Sequence, residues 1–141
     1  MIIVFEKNIN SLLRCIVRLF TGKMVHCFIA EKNDTGGYWV WDFFKGNLEM
    51  RIVKKLPENI EIVHIKGVYR ELDEITDDGS TEYDWWAIIL AYLFGLHVQD
   101  DSRFYCSELI ATVLKMTGQY DGNTNITPTK LYNSLMKAKL T

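Results

Sequence analysis

The sequence predicts an α+β domain, on three observations. Apolar runs with two-residue alternation fill much of the first half of the chain, stripes of helical period fill the second, and no internal repeat interrupts the division. At 141 residues the chain is about one domain long, residues 1–141, and can bury a real core.

The elements follow in order. "MIIVFE" is apolar and β-branched, a short strand. "NSLLRCIVRLF" (residues 10–20) repeats Leu12, Leu13, Ile16, Val17, Leu19 and Phe20 at helical spacing, with Asn10 or Ser11 to cap it and Gly22 to end it. "MVHCFIAE" is a strand, "KNDTGG" a turn and "YWVWDFF" the returning strand of a hairpin. "EMRIVKKL" and "IEIVHIKG" continue the β pattern around "PEN". "ELDEITDDGSTEYD" is a polar connection with room for a short helix, and residues 83–96 form an aromatic-rich buried helix. After the loop "DDSR", residues 105–117 form a helix ending near Gly118. A last helix opens in "TPTKLYNSLMKA", with Thr127 as cap and Pro128 at its first position.

Composition excludes several function classes. The chain is 48% hydrophobic, 24% charged and carries a net charge of −2, a globular balance without the basic face that nucleic acid requires. Its three cysteines, Cys15, Cys27 and Cys106, are odd in number and form no CxxC pair, so neither a disulfide scaffold nor a zinc ribbon is expected. No metal site and no cofactor are expected. The N-terminus shows no signal-peptide pattern, and the most apolar stretch, residues 85–98, is short of the ~20 residues that span a bilayer. Free thiols then point to the cytoplasm, and a compact chain of this kind fits a bacterial or phage source. A membrane-surface role for the helix bearing Arg14 and Arg18 is a weaker reading than a solvated face.

The residues that bear on chemistry surround "RFYCSELIATVL". From Cys106, the residues Leu109, Ile110, Val113 and Leu114 recur on one helical face, so the thiol starts the core-facing stripe. A cysteine there meets the positive end of the helix dipole and unpaired N–H groups, which favour the reactive thiolate and can steady an oxyanion. The ordinary alternative is a small core residue. A nucleophile also needs a base, and the candidates are His26, His64 and His97. His26 opens a strand and shares a face with Met24, Phe28 and Ala30, while Cys27 points the other way and reads as packing, as does Cys15. Asp42, on the next strand among Trp41, Phe43 and Phe44, is a carboxylate in apolar surroundings that needs a partner such as His26, the alternative being a strand-end or edge aspartate facing water. His64 reads as a structural or exposed strand residue, and His97 is the main competitor for the base.

Taken in order, "SLLRCIVRLFTGKMVHCFIAE", "VWDFF", "YDWWAIILAYLFGL", "FYCSELIATVLKMTG" and "ITPTKLYNSL" resemble the circularly permuted branch of the NlpC-type papain-like superfamily. The resemblance is closest to its YiiX-like members, related to the lecithin:retinol acyltransferase type, and runs from about residue 1 to residue 136. "FYCSEL" and "TGKMVHCFI" carry most of it. It implies a permuted papain-like fold, an antiparallel sheet packed on the helix of the nucleophile, with the histidine strand ahead of the cysteine helix. It further implies Cys106 as nucleophile, His26 as general base, Asp42 as the group orienting His26, and Tyr83 with the Cys106 N–H at the oxyanion. Glu108 reads as a structural contact of the first helical turn.

The expected function is a cysteine hydrolase or acyltransferase acting on a peptide, another amide, or an acyl ester or thioester, including acyl lipids. The aromatics Trp39, Trp41, Trp85, Trp86, Phe43, Phe44 and Phe104 suit an acyl-chain groove and a core equally. Specificity is expected from residues 70–82 and 96–103. The alternative is a catalytically inactive binding module on the same fold.

Overall fold

The computed structural model describes residues 1–8, 22–44, 47–77, 82–83, 103–104 and 106–140. Within them the fold is α+β. Five strands of five to seven residues, β1 (Ile2–Glu6), β2 (His26–Lys32), β3 (Tyr38–Phe44), β4 (Asn47–Val53) and β5 (Ile60–His64), pair antiparallel in the order β5-β1-β2-β3-β4. Two short strands, β6 (Glu82–Tyr83) and β7 (Arg103–Phe104), extend the sheet beyond β4 and run parallel to each other. Three helices are described, α1 (Tyr69–Asp77), α2 (Cys106–Met116) and α3 (Pro128–Leu140).

Strand alternation decides which side chains meet the helices. Ile3, Phe5, Cys27 and Ile29 pack with Leu109, Ile110 and Leu114 of α2, Leu72 of α1 and Leu131 of α3, forming the main core. The intervening residues Val4, Phe28, Ala30 and Val40 form a second cluster with Ile2, Tyr38 and Ile60. The central strands are therefore covered on both faces, which is why "IIVF" and "CFIA" read as continuous apolar runs. Cys27 and Phe28 fall in different clusters, as the alternation requires. Met24 departs from it: lying ahead of β2, it joins the main core instead of the Phe28 face.

Local chemistry closes each element. Asn33 Oδ1 accepts from the N–H groups of Thr35 and Gly37 at 3.1 and 2.8 Å, shaping the β2–β3 turn. Gly37 is obligatory there, since a Cβ would stand 2.6 Å from the Val53 carbonyl. Gly118, at φ +66°, ends α2, and the next N–H, of Gln119, bonds the Leu114 carbonyl at 2.8 Å. Thr127 caps α3, its hydroxyl accepting from the Lys130 N–H at 3.4 Å.

The polar connection after β5 does carry a helix, α1, held by Val68 and Leu72, which have no exposed surface. The strand expected from "EMRIVKKL" begins earlier, at Asn47, and stops at Val53. The helix expected over residues 10–20 lies outside the described residues, as does Cys15. Of the helix expected over 83–96, Tyr83 is instead the end of strand β6, drawn into the ladder by its pairing with Phe104, and residues 84–96 lie outside the described residues. Among the described residues no helix is long and apolar enough to cross a membrane.

Candidate active site

The site forms where two strands part. β2 and β3 pair from Lys32↔Tyr38 to Ile29↔Trp41, but β2 reaches back to His26 and β3 runs on to Phe44. β1 stays registered with β2 as far as Glu6↔His26. The opening between β2 and β3 is thus bounded by Cys27 and Phe28 on one strand and Asp42 on the other. Cys106 and Leu109 of α2 and Leu72 of α1 close it into a cleft with room for about one water molecule.

His26 spans the opening. Its Nε2 lies 2.7 Å from Asp42 Oδ1, and both side chains are largely buried, 13% and 8% exposed. Asp42 is held in turn by Arg51 of β4, whose Nη2 donates to Oδ2 at 3.2 Å. The approach to His26 is fixed from two sides: the Val25 N–H bonds the Glu6 carbonyl at 2.9 Å, and the Met24 N–H bonds Thr129 Oγ1 of α3 at 2.9 Å. With Nε2 engaged by the carboxylate, Nδ1 is the nitrogen left for the thiol.

Cys106 is the first residue of α2 and is 5% exposed. The next residue fixes the helix start, the Ser107 hydroxyl donating to the Ile126 carbonyl. Here the thiol feels the helix dipole and two named neighbours. A hydrogen bond with the Cys27 thiol lowers its pKa most; burial opposes this, and the charge and hydrogen bond of His26 reinforce it. The result is a thiol held well below its ordinary range. His26 responds in the opposite sense. Burial alone would push its pKa down, but the Cys106 charge and the Asp42 and Cys106 hydrogen bonds prevail and raise it from 6.5 to about 10. Cys27 is pushed well up, by burial first and then by the hydrogen bond and charge of Cys106. The arrangement favours a Cys106 thiolate facing a protonated His26, with Cys27 as a neutral thiol beside them.

Three site residues expected from the sequence, Cys106, His26 and Asp42, are therefore brought together. Tyr83 lies in β6, where it pairs with Phe104, two residues ahead of Cys106; its side chain lies outside the described residues. His64 is exposed on β5, and His97 lies outside the described residues. Glu108 is buried in the first turn of α2. Two participants are not singled out by the sequence. Arg51 is readable from the hairpin: with two residues between Phe44 and Asn47, position 51 falls diagonally across from Asp42. Cys27, which alternation alone assigns to packing, meets Cys106, because its face of β2 is the one that α2 covers. No group of three or more His, Cys, Asp and Glu side chains among the described residues is placed to hold a metal ion. Comparison with protein-family models, curated proteins and solved structures finds no match for the chain.

Proposed function

We infer that the protein is a cysteine hydrolase or acyltransferase of the permuted papain-like kind, acting on a peptide, amide, or acyl ester or thioester carbonyl. The observation that carries this reading is the chain Cys106–His26–Asp42, in which a buried carboxylate fixes one imidazole nitrogen and leaves the other for a thiol at a helix N-terminus. The resemblance of "FYCSEL" and "TGKMVHCFI" to that superfamily supports it.

In this mechanism the Cys106 thiolate adds to the carbonyl carbon, and the oxygen takes the negative charge. The Cys106 N–H stabilises that oxyanion, with Tyr83 as the second donor that the resemblance assigns. The His26 imidazolium gives its proton to the leaving group, and the C–N, C–O or C–S bond breaks to leave an acyl-enzyme. His26, now neutral, takes a proton from water or another acceptor as it attacks, and Cys106 leaves as thiolate. Asp42 keeps the ring oriented throughout. Because the cleft holds about one water, a carbonyl enters only as wall residues such as Trp41 and Leu72 give way.

The test is the rate of iodoacetamide labelling of Cys106 from pH 4 to 9 in wild type and His26→Ala, with the site located by mass spectrometry. An ordinary thiol, with pKa about 8.5, is well under one per cent thiolate at pH 6. Allowing for the lower nucleophilicity of low-pKa thiolates, wild type should label roughly ten- to a hundredfold faster than His26→Ala at pH 6. Labelling that rises only near pH 8.5 in both proteins overturns the reading and leaves a binding module. Fast labelling would be followed by screening amides, esters and thioesters for turnover.

A further inference from the structure

The hydrolytic mechanism gives Cys27 no step, yet its thiol is buried against the nucleophile. Both cysteines are free, they line the same cleft, and they belong to the same packed cluster between β2 and α2. Cys27 is 1% exposed, so its natural reaction partner is the group beside it, not a molecule in solution. We propose that Cys27 and Cys106 are a reversible oxidation site, at which a hydroperoxide converts Cys106 to a sulfenic acid and Cys27 then closes a disulfide on it, switching the nucleophile off.

The chemistry balances with hydrogen peroxide as oxidant. The Cys106 thiolate attacks one peroxide oxygen; an S–O bond forms, the O–O bond breaks, and the departing hydroxide takes the His26 proton to become water. Sulfur has lost two electrons and peroxide has gained them. The Cys27 sulfur then attacks the Cys106 sulfenyl sulfur. The S–S bond forms, the S–O bond breaks, and the hydroxide leaves with the Cys27 proton as a second water. In total, two thiols and one peroxide give one disulfide and two waters.

Division of labour follows from the surroundings. Cys106 is the peroxide-reactive partner because it is the thiolate. Cys27 stays protonated through burial and through the hydrogen bond and charge of Cys106. Sulfenylation removes that neighbouring charge and so eases Cys27 toward the second step. The cleft is also selective, since a space of about one water admits an oxidant the size of hydrogen peroxide far sooner than a bulky one.

The experiment uses full-length Cys15→Ser protein, which removes the third thiol, treated with stoichiometric hydrogen peroxide at pH 7. Intact mass and non-reducing peptide mapping should find a loss of two hydrogens and a Cys27–Cys106 cross-link. Dithiothreitol should restore iodoacetamide labelling of Cys106. In Cys27→Ala on the same background, given several equivalents of peroxide and with folding checked by circular dichroism, Cys106 should instead pass on to the sulfinic acid and lose most of its recoverable labelling. Cys106 sulfinic acid beside an alkylatable Cys27, or no oxidation of either, overturns the proposal. The Cys15→Ser protein alone decides between these outcomes, even if Cys27→Ala fails to fold. The oxidation site and the hydrolase reading also fail separately: a thiolate that labels fast but never cross-links sinks only the oxidation site, and a cross-link without any turnover sinks only the hydrolase.

Discussion

Asp42 stands directly across from Glu49 in the β3–β4 pair, a position in which two carboxylates repel. Among the described residues its oxygens are divided between His26 and Arg51, which offset the carboxylate from both sides. The two partners differ in weight. The His26 side chain is 13% exposed, whereas that of Arg51 is 44% exposed, and the Arg51 pairing is discounted by solvent to at most about 1 kcal/mol. Among the described residues Arg51 meets the site through Asp42, which makes it a positioning residue. Arg51→Ala should therefore slow Cys106 labelling at pH 6 by no more than about fivefold. Asp42→Ala should slow it more and move the acid limb upward, because His26 loses both its hydrogen bond and its orientation. Equal effects of the two substitutions would show that Arg51 acts in some other way. The His26–Asp42 pair is legible in the sequence because an isolated carboxylate in an apolar hairpin strand demands a partner. The Cys27 contact is not, since alternation says only that Cys27 and His26 point apart, and the face met by α2 is settled by residues far away in the chain.

At the scale of elements, the unexpected arrangement is β1 lying between β2 and β5. Hairpin signals read from sequence join neighbouring runs, as they do for β2, β3 and β4, but β1–β2 and β1–β5 are long-range pairings with no turn to announce them. Their consequence is that β2 is buried on both faces and His26 is held by Glu6. The other hold on His26 comes from α3, whose Thr129 side chain lies at the first turn and accepts the Met24 N–H. Met24 is 1% exposed, so this donor has little water to turn to. Thr129→Val keeps the shape of the side chain and removes the oxygen. It should cost about 1–3 kcal/mol in urea unfolding, the penalty of leaving a buried donor unsatisfied. Thr129→Ser, which keeps the hydroxyl, should recover most of it. A valine variant as stable as wild type would mean that another acceptor or water satisfies the Met24 N–H, and that α3 contributes to the site by packing alone.

For the whole molecule, the ion pair ties folding stability to pH in a way that can be counted in protons. His26, raised to about 10, contributes stability that is complete below its unfolded value of 6.5 and is lost as pH rises through 10. Cys106, held well down, contributes stability that is complete above its unfolded value of about 8.5 and is lost as pH falls. They are one pair, so the two effects must be taken together. Between pH 6.5 and about 8.5 the unfolded chain carries one proton on the pair, on the thiol, and the folded chain carries one, on the imidazole. Stability is then level with respect to this pair. Below 6.5 the unfolded histidine gains a second proton that the folded pair does not match, and acid destabilises until Cys106 itself is protonated. Above about 8.5 the unfolded chain holds no proton on the pair while folded His26 keeps one, and alkali destabilises up to about 10. Each limb has a slope of up to about 1.4 kcal/mol per pH unit, the value for one proton. Urea midpoints measured from pH 5 to 10 should show a steeper alkaline limb in wild type than in His26→Ala, where buried Cys27 alone of the site keeps a proton that the unfolded chain loses, and the acid limb weakened in Cys106→Ala. Taking differences between proteins cancels groups outside the site, such as the Lys7–Glu61 pair. If wild type and His26→Ala lose stability in parallel above pH 8.5, folded His26 is neutral there, and Cys106 is no thiolate–imidazolium partner to it.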